Sequence, residues 1–313
     1  MELTILAVTK REYGVCIAGV DEKLNWVRPI KNRILVLNDI KLNNRIYLSN
    51  SCAYNFSVKK AGSKGYQIEN YLIDEKEPIS YLKRLGDAER NKIFSTLSEN
   101  SLVTSNPDLD ICKLLKEKNR SLILLGPVTI DSVEISLDDN VHARFDFSIG
   151  QIKIKNQSLR SLPCTDLKFL SFAKDLLDEQ NTSYLRLNGQ DLKDLLKVEK
   201  FFIAIGLTAE LYKGDYWPMV LGIHTIPEYT QKTNYDNFFP IEGELIKKDI
   251  AIPSPKKDKL DQELIDNYYR IKVELNKLIK REKELKERIK TEMINNGISK
   301  YNTEKNGYIL QEI

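Results

Sequence analysis

Residues 3–30, LTILAVTKREYGVCIAGVDEKLNWVRPI, are the stretch whose reading decides the fold. Residues 3–8 are an apolar run of strand length, and residues 14–20 are a second. The polar connection 9–14 between them ends in a turn-forming glycine, Gly14. Two β-rich runs across a short glycine-containing loop predict an antiparallel hairpin. Trp26-Val27-Arg28-Pro29-Ile30 follows. Proline fixes φ and lacks an N–H donor, so Pro29 is expected to close a strand or turn rather than lie mid-sheet. Trp26 and Arg28, two apart on an extended segment, are expected to share a face and to set a stacking surface beside a cation.

Short β-rich runs continue at 34–37 and 45–48, then at 51–60, which ends on Lys59 and Lys60. A glycine-flanked basic loop, 62–65, carries Lys64, and 66–73 returns as a strand. Five or six strands within about 75 residues favour a small barrel over a βαβ unit. The order strand–VTK–loop–VCIAGVD followed by WVRPI resembles the dual OB domain proteins of prokaryotes, over residues 1–230. That resemblance implies two OB-like barrels in tandem and a role in recognising nucleic acid or nucleotide. It carries no catalytic signature.

Beyond the first barrel, residues 79–85 and 88–97 read as helical, broken at Gly86-Asp87. A third short helix, 109–118, follows Pro107, and the three make a connector over 79–119. Strands are expected at 121–127, 128–137, 143–149 and 151–155. Within them Phe145 and Phe147 alternate with Asp146 and Ser148, as on a half-buried strand. Thr165-Asp166 suits the start of a helix that runs to about residue 177, and 192–196 is a shorter one. Residues 201–206 and 217–226 read as a hairpin around Lys213-Gly214-Asp215 that echoes the first one. From 227 the chain turns proline-rich and reads as a surface linker.

The tail is different in kind. Leu264, Ile271, Leu275, Leu278, Leu285, Ile289 and Met293 fall largely at three- and four-residue steps, interrupted at Glu282. A helix over 260–295 would reach about 50 Å and end at Gly297. Asn306-Gly307 then turns a closing hairpin. A lone helix with one apolar seam is marginal in water, so this one is expected to pack on the body, pair with a second copy or bind a protein partner. The tail also looks like those of some phage and prokaryotic nucleases, from which no catalytic residue carries over.

Composition narrows the function. The 313 residues, 42% of them hydrophobic and 30% charged, suffice for two domains and an extra element. No apolar run approaches the ~20 residues of a membrane helix. The start, MELTILAVTK, has neither the basic region nor the cleavage site of a signal peptide, so a cytoplasmic location without membrane contact is expected. Cys16, Cys52, Cys112 and Cys164 are widely spaced, and His142 and His224 are the only histidines. Buried free thiols are therefore expected in place of a zinc site, with no cofactor and no metal. The formal charge of +3 conceals an excess of five cations in residues 1–60, five anions in 61–255 and four cations in 256–290. A polyanion would meet the first barrel and the tail.

For nucleic acid, single-stranded more than duplex, the expected contacts are Lys10, Arg11, Trp26, Arg28, Lys31 and Arg33, joined by Lys59, Lys60 and Lys64. Barrels of this kind combine aromatic platforms with a basic groove. The plainer alternative makes Trp26 a barrel lid, Arg28 its packed or ion-paired neighbour and the lysine loop merely solvated. Tyr212, Lys213, Tyr216 and Trp217 form a second aromatic–basic set, which could equally plug a barrel end. Asp166, Lys168, Asp175, Asp178 and Glu179 have the residue types of a metal-dependent nuclease, at the spacing of an ordinary amphipathic helix. Phosphate-loop, dinucleotide and nucleophile-elbow motifs are absent. The expectation is a mostly β (α+β) chain. It comprises a first OB-like barrel (1–78), a helical connector (79–119), a second OB-like barrel with inserted helices (120–230), a linker (231–259) and a helix–hairpin tail (260–313). Its expected role is non-catalytic recognition of nucleic acid in a prokaryotic defence or DNA-processing system. A nucleotide or small-ligand sensor, a protein-partner adaptor acting through the C-terminal helix, and a metal-dependent nuclease are the alternatives.

Overall fold

In the computed structural model the opening hairpin is β1 (Glu2–Arg11) against β2 (Gly14–Val20), with Thr4 opposite Val20 and Arg11 opposite Gly14. The structure describes residues 1–239 except 12–13, 43–45, 64–65, 107–109, 139, 155–160, 209–215 and 236–237, and beyond them Leu285, Arg288 and Glu292. Every residue of β1 from Leu3 to Val8 is buried or nearly so, so this strand has protein on both faces. Its unbroken apolar run, rather than an alternating one, is the sequence form that such a position requires.

The first sheet continues with β3 (Trp26–Ile30), a 3-10 turn (Leu37–Ile40), β4 (Lys41–Leu42), β5 (Ile46–Tyr47), β6 (Cys52–Asn55), β7 (Val58–Lys60), β8 (Asn70–Ile73) and β9 (Ser80–Arg84). Its order is β7-β8-β3-β2-β1-β6-β9, with β3 and β8 parallel. β6 pairs with β1 while β7, two residues further on, pairs with β8. The expected strand over 51–60 is thus two strands, β6 and β7, which pair on opposite sides of the sheet and curl it into a barrel.

After α1 (Asp87–Leu97), α2 (Asn100–Thr104) and α3 (Ile111–Glu117) the second barrel begins. It comprises β10 (Leu122–Leu137), β11 (Val141–Ile149), β12 (Ile152–Lys153), β13 (Leu162–Cys164), α4 (Leu167–Glu179), β14 (Tyr184–Asn188), α5 (Gly189–Leu196), β15 (Lys200–Leu207) and β16 (Pro218–Ile226). β10 is long enough to pair with β15 through its first half and with β11 and β14 through its second. The ring β10-β11-β13-β16-β15 therefore closes on itself, with β13 and β16 parallel, as β3 and β8 are in the first barrel. This is the small Greek-key barrel expected of an OB-like unit.

Several expectations need correcting. Residues 80–84 form an edge strand, not a helix, because the free side of β6 offers Cys52–Asn55 as pairing partners. The connector's helices begin only at Asp87. The run 34–37 gives a single bridge at Leu35 and then a 3-10 turn. The β1–β2 hairpin opens the first barrel, whereas β15–β16 ends the second. The stretch read as linker from 231 starts packed, with Tyr235 and Phe238 buried. Its remainder, the hairpin turn at 213–215 and most of the tail lie outside the described residues.

The barrels share one body. Leu6 and Val20 of the first pack with Leu124, Phe202 and Ala204 of the second and with Phe94 and Leu97 of α1. A Cβ added to Gly222 in β16 would come within 2.2 Å of the Leu6 carbonyl oxygen, so only glycine lets the two strands approach this closely. The contact-defined body runs from Met1 to Lys247, and Lys248–Ile313 forms a separate unit. Within that unit Leu285, Arg288 and Glu292 are helical and exposed. No helix among the described residues is long and apolar enough to cross a membrane.

Candidate functional site

Two clefts open where the barrels meet. The first, about 440 Å³, is lined from barrel one by Trp26, Lys60, Ile68, Glu69 and Tyr71, and from the other side by Leu97, Glu99, Arg120 and Leu122. Lys60 and Tyr71 stand opposite each other across β7 and β8, which places the ammonium 4.4 Å from the ring centre. Arg120 donates to both carboxylate oxygens of Glu99 at 2.8 and 2.6 Å. The Trp26 indole Nε1 is buried and has no acceptor. The cleft thus offers two aromatic walls, the Lys60 ammonium, an Arg120–Glu99 ion pair and an unmet donor.

Of the expected contacts, this cleft gathers Trp26 and Lys60. Arg28 does not reach it as a free cation. It is only 9% exposed, donates from Nη2 to Ser121 Oγ at 3.0 Å, and pairs with Glu69 at 3.4 Å. Ser121 in turn bonds Glu69. Burial pulls the Arg28 pKa down and Glu69 pushes it back up. Arg28 thereby ties barrel one to the start of β10 behind the cleft wall, because a buried guanidinium needs a carboxylate and further acceptors.

Lys31 and Arg33 converge instead on Asp39, at 2.8 and 2.6 Å, and Lys31 also meets Glu75 at 2.9 Å. Burial alone would raise the Asp39 pKa, but hydrogen bonds from Arg33 and Lys31 outweigh it and hold the carboxyl at about 2. Lys10 donates to Asn140 Oδ1 at 2.9 Å, and burial lowers its pKa. Arg11 and Lys59 are exposed, and Lys64 lies outside the described residues. In the second aromatic set, Tyr216 meets Tyr66 edge-on at 5.2 Å and the Trp217 backbone donates to Thr208 Oγ1; Tyr212 and Lys213 lie outside the described residues. Leu285 is the one described member of the expected partner-binding seam, and it is 47% exposed; Leu264, Ile271, Leu275, Leu278 and Ile289 lie outside.

The second cleft, about 330 Å³, lies around Asn50, Arg84, Asp166, Lys168, Glu228 and Lys232. Asp166 caps α4: it accepts from the Lys168 backbone at 3.0 Å, from the Ile223 backbone at 2.8 Å and from Asn50 Nδ2 at 3.3 Å. Complete burial raises its pKa to about 6, although these bonds and Lys168 pull the other way. Glu228 collects Lys168 at 2.8 Å and Arg84 at 3.0 Å, together with Arg90. For Lys168, burial outweighs the pairing and lowers the pKa.

Asp166 and Lys168 stand together in this cleft, whereas Asp175, Asp178 and Glu179, the other members of the nuclease-type set, do not join them. Asp175 accepts from Gln231, and Asp178 pairs with Lys174. Among the described residues, no group of three or more His, Cys, Asp or Glu is placed to hold a metal ion. Sequence reasoning missed Tyr71, Arg120, Asn50, Arg84 and Glu228 as site residues. Tyr71 alone carried a local signal, through its register with Lys60 in the β7–β8 pair.

Two barrel-like sheets that share a core and leave polar clefts at their junction define a β protein of the OB type, a fold whose members commonly hold oligonucleotides or oligosaccharides. The family model for the dual OB-containing domain matches residues 1–223, and the chain belongs to that family. No curated protein matches it.

Proposed function

We propose that the chain recognises nucleic acid without cleaving it, and that a single strand places a base in the cleft between Trp26 and Tyr71. The supporting observation is the pairing of those two rings with Lys60 and Arg120 around a space of about 440 Å³, beside the unmet Trp26 Nε1. An unpaired base can stack on such walls for roughly 1–3 kcal/mol and accept from the indole, while Lys60 attracts its phosphates. A base inside a duplex has its faces covered by its neighbours, so the cleft selects single strands. Arg28 supports the wall by holding Glu69. In this reading the chain is the recognition part of a prokaryotic defence or DNA-processing system.

The test uses a fluorescent strand of about 20 nucleotides, as DNA and as RNA, between about 50 and 300 mM salt. Wild-type binding is expected to weaken steeply with salt. Lys60→Gln is expected to shallow that dependence by about one ion, and Trp26→Ala to weaken binding roughly five- to hundredfold. Trp26→Phe, which keeps a stacking ring, separates lost stacking from lost packing. Failure of the wild-type protein to bind at low salt would sink the proposal, as would unchanged binding by a folded Trp26→Ala protein.

A further inference from the structure

The second cleft is a built site that the single-strand reading does not use. Asn50 is 5% exposed and lines the cavity. Its Nδ2 is turned to Asp166 Oδ1, which leaves Oδ1 buried with no donor. A buried acceptor without a partner is costly, and the cavity beside it is where a ligand's O–H or N–H would supply one. The charges around the cavity are also unequal. Arg84, Lys168 and Lys232 line it, and Arg90 reaches the same carboxylate, Glu228, from behind. Asp166 spends its acceptors on two backbone N–H groups and Asn50, and Asp87 bonds Arg90. Asp166 still faces Lys168, so Glu228 and Asp166 together answer Arg84, Lys168 and Lys232, and one cation is left in excess. The Lys232 side chain is exposed at the rim, while the Lys168 side chain is only 11% exposed.

We propose that this cavity binds a phosphate monoester whose organic part carries a hydroxyl or amino donor. The phosphate sits against Arg84, Lys168 and Lys232, and the donor reaches Asn50 Oδ1. Several acceptor oxygens and up to two negative charges match three cations better than a carboxylate would. A volume of about 330 Å³ leaves room for a group beyond the phosphate itself. The same chemistry comes from two sources, a free nucleoside monophosphate or the 5′-phosphorylated end of a strand, and the experiment separates them.

The full chain is titrated by calorimetry with adenosine and cytidine monophosphates, with inorganic phosphate, and with a short oligonucleotide bearing either a 5′-phosphate or a 5′-hydroxyl. A nucleoside monophosphate, or the phosphorylated oligonucleotide in preference to its hydroxyl form, is expected to bind more tightly than phosphate. The rim variant Arg84→Gln with Lys232→Gln is expected to weaken that binding at least tenfold. Asn50→Ala is expected to reduce the preference over inorganic phosphate. Because Asn50→Ala also removes a core contact, the rim variant, whose changes lie at the surface, decides the matter if Asn50→Ala fails to fold. The two clefts are told apart by the preference for a 5′-phosphate over a 5′-hydroxyl, which the rim variant is expected to abolish and which the Trp26 cleft does not require. The proposal is overturned if none of the probes binds, if phosphate binds as tightly as its esters, or if the rim variant binds as well as wild type.

Discussion

Asp166 shows how much one residue's surroundings decide. Its type and place before an apolar helical run mark it as an N-cap in the sequence, and it caps α4. What sequence could not convey is complete burial, which follows from β16 laying Ile223 N on its other oxygen. With a folded pKa of about 6 against an ordinary 3.8, the native state holds this proton more tightly between those two values. Stability from Asp166 is therefore greatest below about pH 4 and is lost as pH rises through 6, by up to about 3 kcal/mol. Asp39, held at about 2, acts in the opposite sense, but only below 3.8. Denaturant unfolding of wild type and Asp166→Asn at pH 4 and 7 checks this. Wild type should gain on the variant at the lower pH, and a gap that does not move with pH would contradict the burial described. Arg28 teaches the same lesson: its chemistry was legible, but its partners, Glu69 and Ser121, lie 41 and 93 residues away.

Helix α5 starts at Gly189, three residues before the piece read at 192–196, because its signal lies in the cap. α5 is specified by Asn188, whose Oδ1 accepts from Gln190 N at 2.8 Å and Asp191 N at 2.9 Å, while Asp191 returns a bond to the Asn188 backbone. Such a reciprocal cap fixes the helix start without help from the core. Asn188→Ala should lower stability by about 1 kcal/mol, while Asn188→Ser should recover most of it. Paired thermal melts of the three proteins would show whether the cap acts as described. Residues 79–85 had no such punctuation. Ile79, Leu82 and Leu85 sit at a three-residue spacing compatible with a helix, and all of 80–84 is exposed, so periodicity carried no strand signal. Only the unpaired edge of β6, supplied by the rest of the barrel, makes it a strand.

At the scale of the molecule, a buried apolar cluster runs without a break from Leu3 of the first barrel to Phe238 beyond the second. β1 lies at its centre, with β2 and β6 beside it and β16 against it. Barrels joined this way should unfold together rather than in sequence. The two tryptophans report on different places, Trp26 of β3 on the junction of the barrels and Trp217 on the second barrel. Trp217→Phe and Trp26→Phe proteins, each observed through its remaining indole, should therefore show the same denaturation midpoint. Separate midpoints would mean that the Leu6–Gly222 contact is too weak to couple the barrels.

The sequence by itself determined the class of fold, most of the strands, the cap of α4, and Trp26 and Lys60 of the first cleft. These follow from apolar runs, turn residues and helix punctuation, which act over a few positions. The tertiary structure alone decided which charges are free. Lys31 and Arg33 are drawn to Asp39, and Arg28 to Glu69 and Ser121, while Lys60 keeps its place beside Tyr71 in the cleft. It also decided that Asn50, Arg84, Asp166, Lys168 and Glu228, spread from position 50 to 228, line one cavity. The cost of burying a charge or leaving a hydrogen bond unmet depends on neighbours brought together by closing two barrels, and no local pattern in the chain encodes them.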